Sequence, residues 1–247
     1  MKVIRSLIFS IGMLVSIPVA AVLLIASAPL PRRYHFRVAT GWARFVLAWL
    51  RLVCGIRYRV EGLEHIYREP AVILSKHQST WETLALQVVF QPVTWVAKRE
   101  LMWVPFFGWG LALLRPIAID RSAGRKAMEQ IVAQGGERLR SGISVVVFPE
   151  GTRTPPGTRR RYRLGGAVLA VETGYPVVPV AHNAGYHWGR RALLKHPGEI
   201  VMRIGEPISS EGKTAEQLIR QVEEWIEDAV EEVSGSAPVI NQESTPN

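Results

Sequence analysis

Residues 7–28, LIFSIGMLVSIPVAAVLLIASA, carry no charge, and as a helix the run is long enough to cross the roughly 30 Å hydrocarbon core of a bilayer. Such a run sits in lipid or must be covered by protein, so it constrains everything after it. A cleaved secretory leader competes with a retained anchor, because Lys2 and Arg5 precede the run and Ala26-Ser27-Ala28 offers a small-residue cleavage site. The run is longer than the apolar stretch of an ordinary leader, which favours the anchor. Pro18 would kink this helix or let it return to the same leaflet. Arg32, Arg33, Arg37, Arg44 and Arg51 follow, and that cationic excess predicts the cytoplasmic side for the rest of the chain.

Among those arginines, WARFVLAWLRLVCGI at 42–56 sets Trp42, Phe45, Val46, Trp49, Leu52 and Val53 at helical spacing. A core helix would show the same pattern. Its place directly after a membrane segment instead points to an aromatic, basic helix lying in the headgroup layer. Residues 1–56 are therefore expected to form a membrane anchor with an interfacial helix.

From residue 57 the texture changes to short β-like runs separated by helical stretches: YRVEG, AVILS (71–75), VTWVA (93–97), PIAI (116–119), ISVVVF (143–148), VVPVA (177–181) and EIVMRI (199–204). This alternation predicts an α/β domain over 57–233, with a mixed, largely parallel sheet flanked by helices. Ser122 can cap a helix carrying Met128, Ile131, Val132 and Leu139 on one face, although Gly135 and Gly136 weaken its middle. Thr214 and Gln217 form a capping box ahead of a last helix striped with Leu218, Val222, Trp225, Ile226, Ala229 and Val233. Residues 234–247 are small, polar and proline-containing, as a disordered tail would be.

Lys and Arg outnumber Asp and Glu by 30 to 21, a formal net charge of +9, which favours an anionic partner without choosing among lipid, metabolite, acidic protein and nucleic acid. A single cysteine, Cys54, rules out an intrachain disulfide framework and a cysteine-rich zinc site.

Two stretches can carry chemistry. In SKHQSTWET (75–83) an imidazole, His77, precedes a carboxylate, Glu82, at what reads as a strand-to-helix turn. Ser79-Thr80-Trp81-Glu82 is also a capping-box pattern, so Glu82 could serve only the helix start, and it cannot fully serve both the cap and His77. The pair meets only if His77 stays in the turn while Ser79 begins the helix. A neutral imidazole held by a carboxylate takes a proton from a hydroxyl. Neither Ser75, Ser79 nor Cys54 sits in a nucleophile motif, so the hydroxyl would belong to the substrate, and the reaction would be direct acyl transfer to an alcohol. The second stretch is FPEGTR (148–153), where a strand runs into a turn bearing Glu150, Gly151, Thr152 and Arg153. Backbone N–H groups and a guanidinium there suit phosphate oxygens, although an ordinary polar turn reads the same way. Arg159, Arg160, Arg161 and Arg163 crowd the next loop, as a solvated face or as a contact for anionic headgroups.

HQSTWE, AKREL (97–101), IAIDR (117–121), FPEGTR and VVPVAHNAG (177–185) occur in this order, and the chain resembles the glycerolipid acyltransferases, within them the bacterial 1-acyl-glycerol-3-phosphate acyltransferases. The resemblance covers roughly residues 57–208. It implies His77 as general base oriented by Glu82, with the 2-hydroxyl of lysophosphatidic acid attacking the thioester of acyl-CoA or acyl-carrier protein. It further implies that Lys98, Arg121 and Arg153 hold the acceptor phosphate, that Glu150, Gly151 and Thr152 shape the pocket, and that VVPVA lines the site or an acyl channel. No cofactor and no metal enter this chemistry. The implied partners are the two substrates and an anionic phospholipid membrane, with no nucleic acid, and the implied place is the cytoplasmic side of the inner membrane. The family acid is usually Asp, so Glu82 is a departure that moves the carboxylate outward by one methylene. Transfer to another lysophospholipid or a lipid A precursor is the nearest alternative. A thioesterase and a non-catalytic lipid-binding module are alternatives of other kinds.

Overall fold

The computed structural model describes residues 1–66, 69–120 and 124–235. Seven strands make one sheet among the described residues: β1 (Ile56–Glu61), β2 (Val72–Ser75), β3 (Val93–Lys98), β4 (Ile117–Ile119), β5 (Ser144–Val147), β6 (Val177–His182) and β7 (Gly198–Ile204). Their spatial order is β1-β7-β6-β2-β5-β3-β4. Every neighbouring pair is parallel except β6 and β7. Each of the seven β-like runs in the sequence is one of these strands.

The central strands are apolar on both faces because helices cover both faces. On one side Ile73, Val146, Val178, Ile200 and Met202 pack against α2 (Arg32–Cys54) and α3 (Trp81–Val89). On the other, Val72, Leu74, Val145 and Val147 meet α5 (Arg125–Arg140), α6 (Gly165–Thr173) and α8 (Ala215–Ser234). The alternation of 72 and 74 against 73 is the two-residue period of a strand. The shorter helices α4 (Phe107–Leu113) and α7 (Ala184–His187) complete the set.

Two glycines inside α5 have a packing cause. A Cβ at Gly135 would stand 2.7 Å from Leu169 Cδ2, so the helix-weakening residue lets α5 approach α6 closely. The capping box of α8 is present in both directions, Thr214 Oγ1 accepting from Gln217 N and Gln217 Oε1 from Thr214 N. The cap expected at Ser122 lies outside the described residues, as does the expected tail from residue 236 onward.

The N-terminal region consists of two long helices packed against each other. α1 (Lys2–Ala26) is continuous with Pro18 inside it, and it is the one described helix long and apolar enough to cross a membrane, with a mean hydropathy of 2.6 and only 17% of its apolar window buried. The stretch 42–56 belongs to α2, whose Ala43, Val46, Leu47 and Leu50 are buried in the core. Its tryptophans face α1 rather than standing out from the protein: Trp42 Nε1 donates to Ser16 Oγ at 3.0 Å, and Gly12 lies against the Trp49 ring. One face of α2 is thus covered by protein, and the headgroup-layer reading of 42–56 bears only on the face left open. Of Trp42, Phe45, Val46, Trp49, Leu52 and Val53, only Phe45 and Leu52 are exposed. Three further aromatic side chains, Trp103, Phe106 and Trp109, are exposed in and before α4, which packs on α1.

Candidate active site

In a parallel sheet, ligands gather beyond the carboxyl ends of the strands. His77 follows β2 and the FPEGTR turn follows β5, its neighbour. Leu74 pairs with Val147 and Val146 with Trp95, so Lys98 at the end of β3 reaches the same edge.

The helix α3 begins at Trp81 with Thr80 at its N-cap, one residue later than expected from Ser79. Ser79 Oγ accepts from Trp81 N at 3.1 Å, which turns the chain into the helix. The fully buried Glu82 reaches back into this turn. Its Oε1 lies 2.8 Å from His77 Nδ1 and accepts the backbone N–H groups of Gln78 at 3.0 Å and Ser79 at 2.7 Å. Glu82 therefore does both jobs that seemed exclusive, because one oxygen takes all three donors. The longer side chain of Glu reaches back across the turn to do so.

A carboxylate only accepts, so Nδ1 carries the proton and Nε2 keeps its lone pair. Nε2 has no hydrogen-bond partner among the described residues, and the His77 side chain retains 14% exposure. The imidazole stacks on Phe148, with centroids 3.9 Å apart and planes 13° from parallel. Burial alone would raise the Glu82 pKa; the His182 and His77 rings and the Ser79 N–H outweigh it and hold the carboxyl below its ordinary value. Behind Glu82 lies a second imidazole, His182, with Nε2 3.9 Å from Glu82 Oε2. His182 Nε2 lies 2.9 Å from Lys76 O and its Nδ1 accepts the Ala184 N–H, while burial pushes its pKa down.

The FPEGTR turn holds the main chain of His77. Glu150 is buried, and its Oε2 accepts the His77 N–H at 2.7 Å. Thr154 N donates to His77 O at 2.8 Å, and Thr154 Oγ1 donates to Glu150 Oε1 at 2.8 Å. Gly151 takes a positive φ of 73°, and Thr152 and Arg153 are half-buried beside it. The Arg153 guanidinium has no hydrogen bond or ion pair among the described residues, whereas the exposed Lys98 pairs with Glu100 at 3.1 Å. Arg121 lies outside the described residues. VVPVA is an interior strand whose valines fill the two cores; its contribution to the site is His182, at its last position.

Of the residues singled out from sequence, His77, Glu82 and Glu150 meet directly, and Arg153 stands at the same edge. Phe148, Thr154, His182 and Lys76 were missed. Phe148 opens the FPEGTR motif and Thr154 follows it, which was the available signal, and Lys76 and His182 lie inside the quoted stretches SKHQSTWET and VVPVAHNAG. A 630 Å³ cavity lined by Glu61, Arg203 and Trp225 lies away from this chemistry: Ile204 pairs with Val180 and Met202 with His182, so the cavity is at the opposite end of the sheet.

An imidazole with one nitrogen held by a carboxylate and the other open, at the carboxyl edge of a mostly parallel sheet, has the geometry to act as a general base. The nearby serines are otherwise engaged: Ser75 Oγ donates to Lys76 O, and Ser79 Oγ accepts from Trp81. A substrate hydroxyl is then the natural nucleophile, as in a transferase. A family model described as Acyltransferase matches residues 57–183, and the chain belongs to that family. It is 48% identical over 209 residues to a 1-acyl-sn-glycerol-3-phosphate acyltransferase of Pseudomonas aeruginosa, covering 83% of this chain and 81% of the relative. The enzyme of the same name from Saccharomyces cerevisiae is 31% identical over 80% of this chain and 67% of its own length. Among solved structures, the 1-acyl-sn-glycerophosphate (LPA) acyltransferase PlsC from Thermotoga maritima has the same fold, with a TM-score of 0.80 at 24% identity over 96% of this chain and 98% of that one.

Proposed function

We propose that this chain moves a fatty acyl group from acyl-CoA or acyl-carrier protein to the 2-hydroxyl of 1-acyl-glycerol-3-phosphate, giving phosphatidic acid. The observation that carries the reading is the His77 imidazole, clamped through Nδ1 and open at Nε2 beside the FPEGTR turn. Nε2 takes the hydroxyl proton as the alkoxide oxygen bonds to the thioester carbonyl carbon, and Glu82 stabilises the imidazolium. The C–S bond then breaks, and the proton returns from Nε2 to the departing thiolate. Arg153, with Lys98 and Arg121, supplies the cation for the acceptor phosphate.

The acceptor is a lipid, and the N-terminal region suits embedding in one leaflet. α1 is laid against the rest of the protein along its length: Lys195 N donates to Ser6 Oγ at 3.0 Å near one end, and Gly110 approaches Ala21 and Leu24 near the other. A helix crossing the bilayer would drag Lys195 toward it. Its free side carries Leu7, Ile11, Leu14, Val15 and Val22, and the exposed Trp103 and Trp109 stand in and before α4, which packs on α1; such residues suit the apolar-to-headgroup boundary. The exposed Arg32, Arg33, Arg37, Arg44 and Arg51 favour an anionic surface. Cytosolic thioester donors place that surface on the cytoplasmic side of the inner membrane.

The test is an acceptor panel with purified protein and a radiolabelled acyl thioester. We expect phosphatidate from lysophosphatidate and little transfer to lysophosphatidylcholine, with Arg153→Ala raising the acceptor KM about 10- to 100-fold, the value of a charge-assisted hydrogen bond. Equal use of acceptors without a phosphate monoester, or thioester hydrolysis undiminished without acceptor, would overturn the reading.

A further inference from the structure

Lys76 directly precedes the general base and is 1% exposed, yet the proposed reaction makes no use of it. Its Nζ stands 2.9 Å from Glu150 Oε1, 2.7 Å from Glu227 Oε1 on α8 and 3.4 Å from Thr158 O. Tyr162 Oη donates to the same Glu227 oxygen at 2.8 Å. Lys76, Tyr162, Glu150 and Glu227 are all buried. Two carboxylates thus share one ammonium in the interior, an arrangement whose desolvation is costly and which gives no stability that apolar side chains would not give. Its geometry offers something else. Once buried, each charge is confined to its partner, because any displacement leaves an uncompensated charge. The chain of contacts runs from α8 through Glu227 and Lys76 to Glu150, and it ends on the His77 N–H, the backbone of the base itself.

We infer that Glu227 is a positioning residue for His77, acting through Lys76 and Glu150 and steadied by Tyr162. Glu82 sets the rotation of the imidazole; this second line sets the height of the main chain that carries it. The inference rests on His77 being the base. Burial pushes the Glu150 carboxyl above its ordinary value, and Lys76, Thr154 and the His77 N–H act against that shift. Lys76 is therefore also what keeps Glu150 a strong acceptor, while Glu227 competes for the same ammonium and fixes its direction.

The experiment compares Glu227→Gln and Tyr162→Phe with Val230→Ala, a buried α8 residue outside the network, in kcat, in both KM values and in Tm. Glu227→Gln should lower kcat about tenfold at unchanged KM, a cost in keeping with a displacement of well under 1 Å at the base. Tyr162→Phe, the gentler change, should lower kcat about threefold on the same reasoning. Val230→Ala should lower Tm and leave kcat of the folded enzyme within about twofold, because Val230 shares the helix turn of Glu227 but carries none of the polar contacts that lead to His77. In a Glu150→Gln background Glu227→Gln should cost almost nothing further, since the route to His77 is already cut. A fall in Tm with kcat intact, or a full tenfold loss persisting in that background, overturns the inference. Turnover retained by His77→Ala would instead remove the base assignment on which it stands.

Discussion

The two turns that hold His77 do so by opposite means. In HQSTWE the carboxylate of Glu82 grips the ring, and it is stabilised as an anion by three N–H donors on one oxygen. In FPEGTR the carboxylate of Glu150 grips the backbone, and burial works against its charge, leaving it dependent on Lys76. Sequence similarity of role, one acid per motif, conceals this difference. An acid that must stabilise a forming imidazolium needs a firm negative charge; an acid that anchors a peptide N–H needs first of all an acceptor held in the right place.

The largest effect should come from removing what both turns hold. His77→Ala is expected to lower kcat by about 10³-fold or more, the upper range for a general base, with Tm little changed because the side chain is partly open to solvent. Steady-state transfer to lysophosphatidate checks it, and activity near the parent level would make the comparison of the two turns irrelevant to catalysis.

Next comes the comparison itself. Glu82→Gln should lower kcat about 100-fold and cost about 3 kcal/mol, because two buried N–H groups and an imidazole lose their anion. Glu150→Gln should lower kcat only about tenfold and leave stability nearly unchanged, since Lys76 keeps Glu227 as its partner. Their pH signatures should differ in sign. Glu82 has a depressed folded pKa, so its contribution is full above the unfolded value of roughly 4.3 and is lost as pH falls through the folded value. Glu150 has a raised folded pKa, so the stability it confers is present below the unfolded value and is lost as pH rises through the folded one. Tm measured against pH for both variants decides: Glu82→Gln should remove an acid-side loss, Glu150→Gln a loss on the way up. Identical profiles would erase the distinction.

Much of this was legible before any coordinates. The seven strands announced themselves as short apolar runs, and His77, Glu82 and FPEGTR stood out because their residue types are chemically specific. The reversed pairing of β7 on β6 was not readable, since a strand's direction depends on the path between strands and not on its composition. Which stripe of 42–56 meets protein was not readable either, because a helix with apolar residues over more than half its surface gives no hint of it. Glu227 was invisible among Glu223, Glu224, Asp228, Glu231 and Glu232: an acid in an acid-rich helix looks solvated until its partner is placed. Lys76 was passed over for the complementary reason, that a lysine is almost never fully buried unless it is paired. Buried ion pairs join residues far apart in the chain, here 76 with 150 and 227, and local pattern carries no record of them.

The smallest expected effect tests how far FPEGTR depends on backbone rather than charge. The HQSTWE turn contains no glycine, whereas Gly151 sits at φ 73° with a hydrogen bond from its N to Phe148 O at 3.0 Å. A Cβ there would stand 2.9 Å from Arg163 Nε, the far part of a flexible, exposed side chain that can move aside. The steric demand of Gly151→Ala is therefore light, and what remains is the left-handed backbone, worth about 1–2 kcal/mol for a residue with a Cβ. We expect a small fall in Tm, a kcat within about threefold of the parent and an unchanged donor KM, because Glu150 on one side and Thr154 on the other still pin His77. If Gly151→Ala instead matched Glu150→Gln in its loss of kcat, the turn's conformation would be what positions His77, and the carboxylate would be an accessory to it.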